Sequence, residues 1–135
     1  QQYRFGDRIS YSIDVRCNID HLKIMPLIIQ PIVENAFVHG LETKEGEGEI
    51  RIIVEKTDRL RIHVIDNGNG MSEEKLIEIR ESLNDESKLD RSNIGLSNVN
   101  QRIKLLYGDE YGITINSTEN EGTKVIIELP EEISQ

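Results

Sequence analysis

The sequence has no tryptophan, two phenylalanines and four tyrosines, so aromatic residues make up only 4% of it. Any hydrophobic core must therefore be built from Ile, Leu and Val. One cysteine, Cys17, excludes an internal disulfide and fits a reducing compartment. No apolar run approaches the length of a membrane span, and no signal-peptide pattern opens the chain. Positive charge is also scarce: 16 Lys and Arg face 25 Asp and Glu, for a formal net charge of −9. That balance argues against a nucleic-acid partner. A phosphate site would have to be local, made from backbone N–H groups and one or two side chains. Because the chain opens on Gln1-Gln2-Tyr3 rather than Met, we expect a piece of a longer protein.

What is present is 135 residues, enough for one domain with a real core. Residues 1–10 are polar and read as peripheral. Tyr11–Cys17 alternates with period two and predicts a strand. Asn18–Met25 reads as a connection with room for a short second strand. Pro26 suits the start of a helix, because its missing N–H is not needed there. The helix Leu27–His39 follows, apolar on most faces and hence buried. Pro31 inside it should bend the axis, and Gly40 stops it. Glu49–Lys56 and Leu60–Ile65 predict a hairpin across Thr57-Asp58-Arg59. Ser72 caps a helix to about Leu83, with Leu76, Ile79 and Leu83 on one face. Asn84–Asn93 is polar and aperiodic, which predicts a flexible segment. A last helix carries Leu96, Val99, Ile103 and Leu106 at 3-4-3 spacing and ends at Gly108. Tyr111–Ser117 and Lys124–Leu129 form a closing pair of strands around Glu121-Gly122-Thr123. Three helices and about five strands predict an α/β fold: a two-layer sandwich whose mixed sheet is covered on one face by the helices.

The chain is organised around Val64–Met71, V-I-D-N-G-N-G-M. A strand ends on Asp66, and Gly68 and Gly70 then alternate with Asn67 and Asn69. A plain hairpin would use one Asn-Gly pair and resume the strand at once, so a binding loop fits better than a turn. Glycines there let backbone approach a ligand that a side chain would block. An ionised carboxylate at such a strand end only accepts hydrogen bonds. It therefore favours adenine, which offers an exocyclic amine, over guanine, which offers an oxygen at that position.

Within the apolar helix Glu34, Asn35 and His39 are the polar exceptions, and Asn35 and His39 share a face. Asn35 is open to two readings, a core amide bonded to backbone or an oxygen ligand for Mg²⁺. Gly95 opens a helix after the polar segment, where free N–H groups bind phosphate, or where a plain glycine start would serve.

P-L-I-I-Q-P-I-V-E-N-A-F-V-H-G, D-N-G-N-G-M, N-I-G-L-S-N-V-N-Q-R-I and E-G-T-K-V, in that order, resemble the ATP-binding domain of sensor histidine kinases. More narrowly, they resemble the YesM/LytS type, in the superfamily that includes the gyrase, Hsp90 and MutL ATPases. The resemblance runs from about Arg4 to Leu129. It implies the Bergerat fold, with ATP and Mg²⁺ as cofactors and residues 72–94 as a cover over the nucleotide. It implies that Asn35 ligates Mg²⁺ and that Asp66 reads adenine, with Gly68, Gly70 and Met71 lining the base. Gly95, Leu96 and Asn98 would meet the phosphates, and Thr123 would lie near adenine through water. Lys88 and Arg91, cations of that cover, could touch phosphate or could belong to a solvated face.

Three positions depart from the family pattern. Val38 stands where many kinases carry a base, and His39 could replace that contact. The second glycine box holds one glycine. Pro31 stands where the hydrolytic relatives place the glutamate that activates water. Glu34, about 100° around the helix from Asn35, is the remaining carboxylate that could polarise a nucleophile, or it could be a supporting carboxylate.

The resemblance further implies that the γ-phosphate passes to a histidine on an upstream dimerisation domain, then to an aspartate on a response regulator. His21, His39 and His63 do not suit the acceptor role. The expected picture is a cytoplasmic domain, monomeric alone, of a homodimeric membrane sensor. The alternatives are an autonomous ATPase of the gyrase kind and a degenerate nucleotide-binding or interaction module.

Overall fold

A computed structural model describes residues 2–5, 9–16, 25–36, 46–84 and 94–130. In chain order these form β1 (Gln2–Phe5), β2 (Ile9–Arg16), α1 (Met25–Ala36), β3 (Gly48–Lys56), β4 (Leu60–Asp66), α2 (Glu73–Asn84), α3 (Ile94–Tyr107), β5 (Gly112–Thr118) and β6 (Gly122–Leu129). The strands make one mixed sheet in the order β1-β2-β3-β4-β6-β5, parallel between β2 and β3 and antiparallel elsewhere.

The period-two pattern explains which face is covered. Leu60, Ile62, Val64 and Asp66 of β4 are buried, while Arg61, His63 and Ile65 between them are half-buried. Ile50, Ile52 and Val54 of β3 and Val125, Ile127 and Leu129 of β6 join the same inner face. Helix residues Ile32, Leu76, Ile79, Leu83, Leu96, Val99 and Ile103 complete the core. The outer face mixes Ile53, Ile65 and Ile126 with charged residues that are partly paired: Arg61 meets Glu128, as does Arg59 at the strand's start, and His63 Nε2 lies 2.8 Å from Glu55 Oε1.

Local chemistry sets the helix ends. Ser72 Oγ accepts the Lys75 N–H, and Glu73 and Glu74 sit in the first turn of α2, where the helix dipole favours acids. At the other end of α3, Gly108 adopts φ +109° and donates its N–H to the Lys104 carbonyl. Buried Asn100 joins layers, donating to the Leu83 carbonyl and accepting the Ile113 N–H.

Three expectations change, and one lies outside the described residues. The sheet has six strands rather than about five, because Gln2–Phe5 adds β1 at the edge through pairing with Ile9–Ser12. The last helix begins at Ile94, and Leu106 is 63% exposed beside Leu105 at 87%, so the inner face runs on from Ile103 to Tyr107 rather than to Leu106. The first part of the expected cover, α2, is bound into the body by Leu76, Ile79 and Leu83 and by Arg80, which donates to the Ile115 carbonyl and Asn116 Oδ1. Of the connection Asn18–Met25, where a short strand is expected, Met25 opens α1 and residues 18–24 lie outside the described residues, as do residues 85–93.

Candidate functional site

The inner face of the sheet turns polar at one rung. Asp66 pairs with Thr123 across β4 and β6, and Thr123 pairs with Ser117 across β6 and β5. Since partners in a ladder point to the same face, a carboxylate and two hydroxyls stand side by side where the apolar core ends. Asp66 is 6% exposed, and its Oδ1 accepts the Gly68 N–H at 2.8 Å. A buried carboxylate is costly unless it is hydrogen-bonded. Its two oxygens have lone pairs for several donors, of which Gly68 is one.

The loop after Asp66 is fastened on both sides. Asn67 Oδ1 accepts the Glu49 N–H at 2.7 Å, and the Asn67 N–H donates to the Glu49 carbonyl. The Asn120 N–H, at the tip of the β5–β6 hairpin, donates to the Asn69 carbonyl at 2.7 Å. The Met71 N–H donates to Ser117 Oγ at 2.8 Å. Gly70 adopts φ +67°, and a Cβ there would lie 2.0 Å from the Thr118 carbonyl oxygen. Gly122 adopts φ +131°, and its Cβ would lie 2.0 Å from the Asp66 carbonyl oxygen. These two glycines thus serve the contact between loop and hairpin. The space that a side chain would take at Gly70 is filled by protein backbone rather than left for a ligand. Gly68 is buried beside them.

The other sequence-predicted residues stand as follows. Asn35 is in the last turn of α1. Its side chain is outside the described residues, as are His39, Lys88 and Arg91. Glu34 is exposed and accepts the Gln30 amide one turn back. Among the described residues, no group of three or more His, Cys, Asp or Glu could hold a metal ion. Gly95 is the second residue of α3, and Asn98 is exposed. Leu96 is fully buried in the core, so any phosphate contact it makes runs through its backbone N–H. A Cβ on Gly95 would meet Pro31 Cβ at 3.7 Å, an ordinary contact. Neither backbone conformation nor described packing demands glycine there. Met71 packs against the core as a half-buried residue.

Sequence reasoning missed Ser117 and Asn120, the two hairpin residues that hold the loop. Ser117 closes the strand pattern Y-G-I-T-I-N-S, and only its inward parity could have flagged it.

Over residues 22–133 the chain matches the family described as histidine kinase-, DNA gyrase B-, and HSP90-like ATPase. It belongs to that family. It is 40% identical over 133 residues to the sensor histidine kinase YpdA of Escherichia coli, covering 96% of this chain and 22% of that one. It is 32% identical over 130 residues to the sensor protein kinase HptS of Staphylococcus aureus, covering 96% of this chain and 25% of that one. This chain thus spans about a quarter of those relatives. Its fold is similar to the catalytic domain of histidine kinase ThkA, with a TM-score of 0.62 at 23% identity over 91% of this chain and 78% of that one.

Proposed function

We propose that this chain binds Mg·ATP and supplies its γ-phosphoryl group to a histidine on an upstream dimerisation domain of a YesM/LytS-type sensor kinase. A response regulator aspartate then receives it. The observation that carries this reading is the buried Asp66 carboxylate, which stands beside the Thr123 hydroxyl at the end of the sheet. A carboxylate held there recognises a base that donates from its edge and disfavours one that presents an oxygen.

The residues described fit the adenine end of such a ligand. Asp66 provides the acceptor, and Gly70 and Gly122 allow the loop and hairpin to close on each other around it. At the phosphate end, Gly95 is a glycine that the described packing does not require. It opens α3, where N–H groups without helical partners favour anions. Asn35 would provide the oxygen ligand for Mg²⁺, and Asn98, His39 and Arg91 would add polar contacts to the phosphates. Glu34, whose Oε1 accepts the Gln30 amide, would act on the nucleophile through its remaining lone pairs. The cover over the nucleotide begins after α2 in this reading, since Leu76, Ile79 and Leu83 are already committed to the core.

When bound, Mg·ATP supplies the group to be transferred, and the chain's part is positioning and charge neutralisation. In this reading the domain faces the cytoplasm within a homodimeric parent. The test is to incubate the chain with γ-labelled ATP, alone and with the parent's upstream domain. Label on a histidine of the added domain, and none on this chain alone, is the expected result. Steady release of inorganic phosphate by this chain alone would instead make it an autonomous ATPase.

A further inference from the structure

Ser117 sits at a three-way hydrogen-bond junction. Its Oγ accepts the Met71 N–H at 2.8 Å, donates to the Gly122 carbonyl at 3.0 Å, and lies 2.9 Å from Thr123 Oγ1. A hydroxyl has one proton and two acceptor lone pairs. The Gly122 carbonyl can only accept, so it takes the Ser117 proton. The Met71 N–H can only donate, so it takes one lone pair. Toward Thr123, Ser117 then has nothing left but its second lone pair. The Thr123 hydroxyl must point its own proton at Ser117, away from the base site.

We propose that Ser117 fixes the Thr123 proton and so makes the base-reading rung acceptor-only, selecting a purine that donates from its exocyclic position. This rests on the nucleotide reading of the Asp66 loop. Thr123 is the ladder partner of Asp66. With its proton turned inward, it presents lone pairs on the same side as the carboxylate, directly or to a bridging water. An exocyclic amine satisfies both acceptors. A carbonyl oxygen at that position faces two acceptors and no donor, and an unpaired buried polar group is what discriminates between ligands of similar shape. A threonine free to rotate could swing its proton outward and meet that oxygen. Ser117 touches no ligand here; it is a positioning residue for specificity.

The experiment is calorimetric titration of the 135-residue chain with ATP, and with GTP by competition against ATP, in wild type, S117A and S117T. In S117A the ATP-over-GTP preference should narrow by about three- to ten-fold, the weight of one neutral hydrogen bond. S117T keeps a hydroxyl and should restore the preference. On a Thr123→Val background, Ser117→Ala should leave the remaining preference unmoved, because Ser117 acts on the preference only through the Thr123 hydroxyl. If S117A does not fold, Ser117→Cys, with its weak thiol donor, takes its place. A purely packing role predicts equal weakening of both nucleotides and an unchanged ratio, and that result overturns the proposal. Absence of ATP binding by the wild type is a separate outcome: it removes the nucleotide reading itself, and the relay with it.

Discussion

Gly70→Ala is the substitution whose effect follows most directly from geometry. The residue adopts φ +67°, and a Cβ would lie 2.0 Å from the Thr118 carbonyl oxygen and 2.8 Å from its carbon, where 3.0 Å is already closer than real Cβ atoms come. The left-handed conformation alone costs a non-glycine residue about 1–2 kcal/mol. Overpacking against backbone that has to move adds about 1–3 kcal/mol. The sum is a loss of about 2–5 kcal/mol, a large share of a domain's stability. Gly46 provides the control, since it adopts φ +87° but has nothing within 4 Å of its Cβ position. Gly46→Ala should therefore show only the conformational part, about 1–2 kcal/mol. Urea unfolding of both variants separates the two contributions. In Gly70→Ala the hairpin tip must also retreat from the loop, straining the Asn120-to-Asn69 and Met71-to-Ser117 bonds. ATP affinity should fall with it and stay near wild type in Gly46→Ala. Equal destabilisation of the two variants would refute the steric argument.

Three further outcomes are expected. Asp66→Asn keeps an oxygen to accept the Gly68 N–H, so folding changes little while ATP binding weakens by about 1.5–3 kcal/mol, roughly 10- to 150-fold; unchanged affinity by calorimetry removes Asp66 as the reader. Asn35→Ala should weaken Mg·ATP far more than metal-free ATP, and an equal loss for both would deny it the metal. The third concerns pH. The hydrogen bond from His63 holds the Glu55 carboxyl below its ordinary value, with lesser help from the charges of His63, Arg16 and Arg61. A depressed carboxylate adds stability that is full above its unfolded pKa and lost as pH falls through the folded one. The urea midpoints of wild type and Glu55→Gln should therefore differ most above about pH 4.3 and draw together as pH falls through the lowered pKa of Glu55; a gap that does not narrow with acid contradicts the assignment.

Much of the fold was legible because its periods are clean. Leu60, Ile62 and Val64 alternate with polar neighbours, and Leu76, Ile79 and Leu83 recur at helical spacing; all six are buried. What was not legible depends on partners distant in sequence. Gln2–Phe5 has no pattern of its own and becomes a strand because β2 offers an edge. Leu106 continues the 3-4-3 spacing of α3, yet the buried line runs on to Tyr107 instead, and Leu106 stays exposed. At the site, Asp66 announced itself as an acid ending an apolar strand. Ser117 and Asn120 did not, since their bonds to Met71 and Asn69 join segments about fifty residues apart. The sequence marks the glycines without saying what each one serves. Gly70 is required by Thr118, whereas Gly95 has no described neighbour that requires it.

The most direct test of the central claim is calorimetric titration of the chain with ATP and with GTP, each with and without Mg²⁺. Without tryptophan there is no intrinsic indole signal to follow, and heat is the suitable readout. The account predicts that ATP binds in an Mg²⁺-dependent manner and that GTP binds far more weakly. Equal binding of the two purines, or no binding of ATP, would contradict it.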